Sequence, residues 1–244
     1  MSDSLVIIPT YNEKENVERM IRKVFSLALP FHLLIVDDGS PDGTAVIVKK
    51  LILEFPDRLF IEERKGKLGL GTAYIHGFKW ALSKKDSSEN NTYNYIFEMD
   101  CDFSHNPEDL IRLRETCVNG ADVAIGSRYV KGGHIVNWPQ DRVLMSYFAS
   151  VYVRIVLWLP VRDTTAGFKC FKRRVLERIN FSEIKFIGYA FQIEMKYTAY
   201  KLGFKVVEVP ITFIDRTEGV SKMSTGIFKE AFLGVLQMRF KKIN

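Results

Sequence analysis

The feature that most constrains this chain is a rhythm in its first half. Short apolar runs, each closed by a cluster of polar or turn-forming residues, alternate with stretches of helical spacing. Leu5–Ile8 is the first run, stopped by Pro9. From Glu13 to Leu27 the residues Val17, Met20, Ile21, Val24 and Phe25 recur at helical spacing. Leu33–Val36 is stopped by Asp37-Asp38-Gly39-Ser40-Pro41-Asp42-Gly43, and Thr44–Phe55 reads as a helix. Leu59–Glu62, Tyr95–Met99 and Asp122–Ile125 are further strands, with helices near Thr72–Ser83 and over Pro107–Cys117. Strands that alternate with helices at intervals of roughly 25–35 residues predict an α/β chain, with a mostly parallel central sheet and helices on both faces.

The second half is less regular. It predicts a helix at Arg142–Trp158, a short strand near Gly167–Phe171, a helix at Tyr189–Leu202, strands at Lys205–Val209 and Ile211–Asp215, and a helix from Thr225 to about Phe240. Lys84–Thr92 is polar and reads as a surface loop, and no linker, repeat or low-complexity tract divides the chain, so one domain over 1–244 is expected. With 47% hydrophobic and 26% charged residues in 244, a sizeable core is affordable, and disorder or a disulfide-built miniprotein is excluded. The three cysteines form no Cys-x-x-Cys pair, which points to a reducing compartment, and the four histidines lack zinc spacing. No basic segment precedes the first apolar run, so no signal peptide is expected. A net charge of +6 suits phosphate-rich ligands or an anionic membrane surface and is too small to argue for nucleic acid.

In open parallel sheets ligands gather beyond the carboxyl ends of the strands. Four polar clusters fall there: Pro9–Glu13, Asp37–Gly43, Asp100–Asp102 and Ser127–Arg128. Asp100 and Asp102, one residue apart at a strand end, offer hard oxygen ligands to a divalent ion, with Ser104 at the next same-side position. Mg²⁺ binds through one or two carboxylates plus ligand phosphates, so the pair fits a nucleotide diphosphate. A carboxylate at Asp37–Asp38 suits a base or ribose. The glycine-rich Lys65–Gly71 segment is neither a Walker loop nor a dinucleotide fingerprint, and reads mainly as a shaped entry to a helix.

In order along the chain, Pro9-Thr10-Tyr11-Asn12-Glu13, DDGSPDGT from Asp37, Asp100-Cys101-Asp102 and Gly126-Ser127-Arg128 resemble an inverting family 2 glycosyltransferase. GKLGLGTAYIHG (Gly66–Gly77), DTTAGFKCF (Asp163–Phe171), GYAFQIEM (Gly188–Met195) and EVPITFIDR…GVSKM (Glu208–Met223) are similar to the polyprenol-phosphate (dolichol-phosphate) mannose synthases within it. The resemblance implies a GT-A, Rossmann-like nucleotide-diphospho-sugar transferase domain, with residues 1–130 binding the nucleotide sugar and 131–244 serving acceptor and membrane. It implies transfer of mannose from GDP-mannose to a polyprenyl or dolichyl phosphate, with inversion and with Mg²⁺ or Mn²⁺. Pro9, Tyr11, Glu13, Val36 and Asp38 would hold the guanosine. Asp100, Cys101 and Asp102 would contact ribose and sugar diphosphate, and Asp100, Asp102 and Ser104 would face the metal. Arg128, Arg216 and Lys222 would neutralise phosphates beside Asp102 as the catalytic set, with Arg142 at the acceptor and Asp163 and Glu194 in support.

An ionised phosphate monoester needs no general base, its second pKa being about 6. UDP-glucose as donor, a sugar hydroxyl as acceptor, and a non-catalytic binding subunit are the rival readings. No run of 18 or more uncharged apolar residues is present. Val143–Pro160 instead places Arg142, Ser146, Ser150 and Arg154 four apart and leaves a wide apolar face with Tyr147, Phe148, Tyr152 and Trp158. The terminal helix repeats the theme with Phe232, Leu236 and Phe240. Such helices can lie in an interface plane, or pack on the core or on a partner subunit. The expectation is a peripheral protein on the cytoplasmic face of a membrane, with room for small membrane-anchoring subunits as partners.

Overall fold

The computed structural model describes residues 2–84, 93–215 and 225–241, with 189 and 225–231 described by backbone alone. The first half runs β1 (Ser4–Thr10), α1 (Val17–Phe25), β2 (His32–Asp37), α2 (Thr44–Glu54), β3 (Leu59–Glu63), α3 (Leu70–Ser83), β4 (Tyr95–Glu98), α4 (Asp109–Val118) and β5 (Val123–Ser127). The second runs β6 (His134–Val136), α5 (Gln140–Leu157), β7 (Lys169–Lys172), α6 (Arg173–Arg178), α7 (Tyr189–Lys201), β8 (Val206–Pro210), β9 (Thr212–Ile214) and α8 (Thr225–Phe240).

Seven strands form one sheet in the order β3-β2-β1-β4-β7-β5-β8. Its pairs are parallel except where β7 meets β4 and β5, so the expected mostly parallel α/β sheet is found. β6 and β9 make a separate parallel pair beside it. Side chains of successive strand residues point to opposite faces, which splits the core in two. Leu5, Ile7, Leu34 and Val36 join the cluster under α3 and α7, while Val6, Ile8, Leu33 and Ile35 join the one under α1, α2 and α4. All eight are fully buried, each contributing roughly 1.5–3 kcal/mol by leaving water.

Three features depart from the sequence reading. β1 does not stop at Pro9 but runs to Thr10, with Pro9 opposite Val36. Pro9 shares its side with Ile7, whose carbonyl accepts the Met99 N–H. Pairing with β4 ends there, so the missing proline N–H disrupts no ladder. The short β6 and α6 carry too little periodicity to be seen. β7 runs against its neighbours, a direction that an apolar run does not encode.

Candidate functional site

The loops that follow β1 and β2 are laced together. The Asp38 N–H donates to the Thr10 carbonyl at 3.0 Å. The Asn12 N–H donates to Ser40 Oγ, the Glu13 N–H to Thr44 Oγ1 and the Lys14 N–H to Asp42 Oδ2, all at 3.0–3.1 Å. Asp37 is the knot, accepting from Thr10 Oγ1 and from both the N–H and hydroxyl of Ser40. Asp38, expected at a base or ribose, is bound by Arg64, whose Nε lies 2.6 Å from Oδ1, with both side chains 8% exposed. Arg64 also donates to Thr72 Oγ1 at the start of α3. Gly39 has φ +68°, and a Cβ there would press on the Arg64 carbonyl at 3.2 Å, so this turn requires glycine. Pro9, Tyr11 and Glu13 line this edge half-exposed, with Lys67 over the Tyr11 ring at 5.3 Å, while the Val36 side chain is in the core and offers only its backbone.

The glycine-rich segment is a helix entry, as its sequence suggested. Gly69 caps α3, and a Cβ on Gly71 would collide with Phe191 of α7 at 2.7 Å.

Beyond β4 the acidic pair faces a cavity of about 490 Å³ lined by Asp100, Asp102, Ser104 and Arg128 at one end. Ser104 holds Asp102 in place, its hydroxyl donating to Oδ1 at 2.6 Å and its N–H at 3.1 Å. The Tyr74 hydroxyl reaches Asp100 Oδ1 at 3.3 Å, and burial beside Asp100 and Glu98 pushes that phenol well above its ordinary pKa, so it remains a donor. Cys101 is buried, which raises its thiol and leaves it unreactive. The donor set suits a hard divalent ion completed by ligand phosphates. Among the described residues no group of three or more His, Cys, Asp or Glu side chains forms a self-sufficient metal site.

Arg128 enters the same cavity, so the structure unites it with Asp102. It is not a bare cation there. Asp163, fully buried, receives Arg128 Nε and Nη2 at 2.7 Å each and the Arg128 N–H at 2.9 Å. Burial alone would raise the Asp163 pKa, but the guanidinium charge and its hydrogen bonds bring it below the usual carboxylate value. Glu208 clips the arrangement, accepting from Ser127 Oγ and from the N–H groups of Arg162 and Asp163. Arg142, at the start of α5, bonds Asp215 at 3.1 Å and covers the Trp138 ring at 4.0 Å. Glu194 points elsewhere, binding Lys241 and the N–H groups of Lys185 and Phe186, a structural role. Arg216 and Lys222 lie outside the described residues.

Two cavity residues escaped the sequence reading: His105 and Gln192. Behind Gln192 is a buried ionic layer. Lys169 bonds Glu98 at 2.9 Å and the Gln192 Oε1, and Lys196 donates to the Ala166 carbonyl. Burial lowers both lysines' pKa and raises that of Glu98, each opposed by its partner's charge in the Lys169–Glu98 pair.

The far end of the cavity is apolar, bounded by Met145, Phe148, Tyr152 and Val153 of α5 and Phe232 and Val235 of α8. Tyr152 stacks on Phe232 at 4.5 Å. α5 is turned inside out relative to an ordinary surface helix. Its polar stripe faces the body, with Ser150 buried and Arg142, Ser146 and Arg154 half-buried, whereas Leu144, Tyr147, Phe148, Ile155 and Trp158 are exposed. Phe232, Leu233, Leu236 and Phe240 of α8 extend the same exposed surface. No helix among the described residues is long and apolar enough to cross a membrane.

A mostly parallel sheet with an acidic pair beyond a strand end is an arrangement suited to a nucleotide diphosphate. The chain belongs to glycosyl transferase family 2, whose model matches residues 5–179. It is 46% identical over 234 residues to the polyprenol monophosphomannose synthase of Mycolicibacterium smegmatis, covering 96% of this chain and 86% of that one. It is 43% identical over 231 residues to the undecaprenyl-phosphate mannosyltransferase of Micrococcus luteus, covering 95% and 91%. Among solved structures, a mannosyltransferase from Pyrobaculum calidifontis in complex with GDP-Man and Mn²⁺ shares the fold with a TM-score of 0.60 at 15% identity, over 97% of this chain and 69% of that one. Glucosyl-3-phosphoglycerate synthase from Mycobacterium tuberculosis does so with 0.66 at 16% identity, over 96% and 78%.

Proposed function

We propose that this chain transfers mannose from GDP-mannose to a polyprenyl phosphate, with inversion at the anomeric carbon, at the surface of a membrane. The observation that carries the reading is the two-ended cavity, polar at Asp100 and Asp102 and apolar between α5 and α8. A lipid phosphate is the acceptor whose chemistry matches both ends. The names of two relatives of over 40% identity, a polyprenol monophosphomannose synthase and an undecaprenyl-phosphate mannosyltransferase, support it.

The donor side is preformed. The laced loops after β1 and β2 present Pro9, Tyr11, Glu13, the Val36 backbone and the Asp38–Arg64 pair to guanosine, and the backbone at Cys101 to the ribose. Asp100 and Asp102 would hold Mg²⁺ or Mn²⁺, which when bound would supply charge stabilisation to a diphosphate. Ser104 keeps Asp102 oriented through its hydroxyl and N–H, and the lone pairs of the same hydroxyl leave it able to be the third ligand.

Donor and acceptor phosphates repel, and one charge pair at 4 Å is worth about 4 kcal/mol at an effective dielectric of 20. Arg128 enters with its charge matched by Asp163, so it acts as an oriented donor. Arg142, at the start of α5, serves the acceptor phosphate in this reading, and Arg216 and Lys222 supply the net positive charge. Apart from Asp100 and Asp102, no described carboxylate lines the cavity. That fits a phosphate nucleophile, already ionised near pH 7, better than a sugar hydroxyl that must lose a proton. Catalysis is then positioning and stabilisation of the leaving group.

The exposed aromatic surface of α5 and α8 would seat in the headgroup region of the cytoplasmic face and bring the cavity mouth to the lipid. Small anchoring subunits fit the same surface. The test is a transfer assay with labelled GDP-mannose or UDP-glucose and a short polyprenyl phosphate, with and without EDTA. Organic-phase label from GDP-mannose alone, abolished by EDTA, is expected; label from UDP-glucose, or none from either, overturns the reading.

A further inference from the structure

Gly167 stands where the polar end of the cavity meets α7. A Cβ built on it would lie 3.7 Å from Gln192 Nε2, 3.8 Å from Asp100 Oδ2 and 3.9 Å from His105 Cε1. These are ordinary contact distances, so glycine is not demanded by packing. Its effect is to leave an atom-sized corner open among an amide donor, a carboxylate acceptor and an imidazole.

Two of the three walls hold unused hydrogen-bonding capacity. Gln192 is 2% exposed and its Oε1 accepts from Lys169. Its Nε2 carries two hydrogens; a hydrogen bond to Glu98 takes one and leaves the other for the cavity. His105 is 3% exposed, fixed by stacking on Phe168 at 4.9 Å and edge contact with Phe213 at 5.4 Å. Its Nδ1 makes no hydrogen bond and lies 4.0 Å from Asp100 Oδ2. Buried polar atoms are seldom left in this state, because each forgoes its bonds to water.

The chemistry of the corner selects its occupant. An anion would be repelled by Asp100, with Glu98 nearby, and a cation would meet the Gln192 donor backed by Lys169 and Lys196. A neutral hydroxyl satisfies all, donating to Asp100 while accepting from Gln192 and from His105 in its Nδ1–H tautomer. Asp100 belongs both to this corner and to the acidic pair, so a sugar joined to a diphosphate held at that pair brings its hydroxyls here. We propose that Gln192, with His105, binds one hydroxyl of the transferred hexose in the corner left open by Gly167, and so helps to set which sugar is moved. This rests on the transferase reading and adds to it the side chains that read the sugar.

The test uses the full chain with Mn²⁺, a short polyprenyl phosphate, and GDP-mannose with its monodeoxy analogues, in parallel with UDP-glucose and its own. Wild type should reject one deoxy analogue by at least about tenfold in kcat/KM, since a site built around a hydroxyl penalises its loss. In Gln192→Leu the parent donor should lose about tenfold or more and that rejection should shrink to about twofold, with GDP affinity unchanged. Gly167→Ala, which leaves the Gln192–Lys169 bond intact, should lower transfer of the parent sugar with the same GDP affinity, its thermal midpoint reporting folding. Undiminished rejection in Gln192→Leu, no rejected analogue in wild type, or wild-type kcat/KM in Gly167→Ala would overturn the proposal. If only UDP-glucose is used and its deoxy series shows the collapse, the mannose reading fails and the corner stands. GDP-mannose used without the collapse leaves the reading standing and removes the corner; if no hexose is transferred, both fall.

Discussion

The edge formed by the loops after β1 and β2 and the face formed by α5 and α8 solve opposite problems. At the first, polar groups are satisfied within the protein: Asp37 ties three donors, Asp42 binds the Lys14 and Thr44 N–H groups, and Asp38 is paired with Arg64. At the second, Phe148, Trp158 and Phe240 are 62–84% exposed, leaving a contiguous apolar surface that a monomer in water seldom tolerates. In the proposed function, a small polar ligand would meet a prearranged geometry, and a lipid would meet a surface complete only in an apolar medium.

The comparison breaks most sharply at the acidic pair. Asp102→Asn should lower transfer about a thousandfold or more while urea unfolding and vesicle binding stay as in wild type; residual activity near wild type would detach Asp102 from the chemistry. Asp163→Ala removes the partner of buried Arg128, and urea unfolding should show a loss of about 3–5 kcal/mol. Because the folded pKa of Asp163 is depressed, its contribution is present above the ordinary carboxylate value and lost as pH falls through the folded one. The stability gap between wild type and variant should therefore narrow in acid.

On the other face the expected result is reversed. Phe148→Ser and Trp158→Ser should each weaken binding to anionic phospholipid vesicles by about tenfold or more without loss of GDP affinity or of unfolding free energy. Unchanged vesicle partition would leave that face without a role. The smallest effect belongs to His32, remote from both regions and hydrogen-bonded to the Tyr93 hydroxyl. Burial lowers its pKa, so the unfolded chain takes up the proton first and stability falls as pH drops through 6.5 towards the folded value. His32→Leu should flatten the dependence of Tm on pH between about 7.5 and 5.5.

Much of the fold was legible because buried parallel strands read as uninterrupted apolar runs, of which β1 and β2 are the clearest. Direction is not written in such a run, and β7 was therefore placed but not oriented. At the site, Asp100 and Asp102 announced themselves by adjacency. Arg128 did so only in part: its partner lies 35 residues away, so a lone arginine looked like a free positive charge. Spacing placed Ser104 beside the pair, but not its hydrogen bonds to Asp102. Gln192 left one usable trace. It sits in α7 among Phe191, Ile193 and Met195, all buried, and an amide in a helix without a wet face must find a polar partner.

The reversed β7 has a consequence for how such an enzyme can diversify. Because it runs backwards, the residues preceding it, Asp163 to Phe168, arrive at the same rim as those following β1, β2 and β4. One short stretch thus carries the guanidinium clamp and the open corner, and it is separate from the loops assigned to the nucleotide. If the proposed corner reads the sugar, exchanging a few side chains there would retune it while leaving the loops after β1 and β2 untouched.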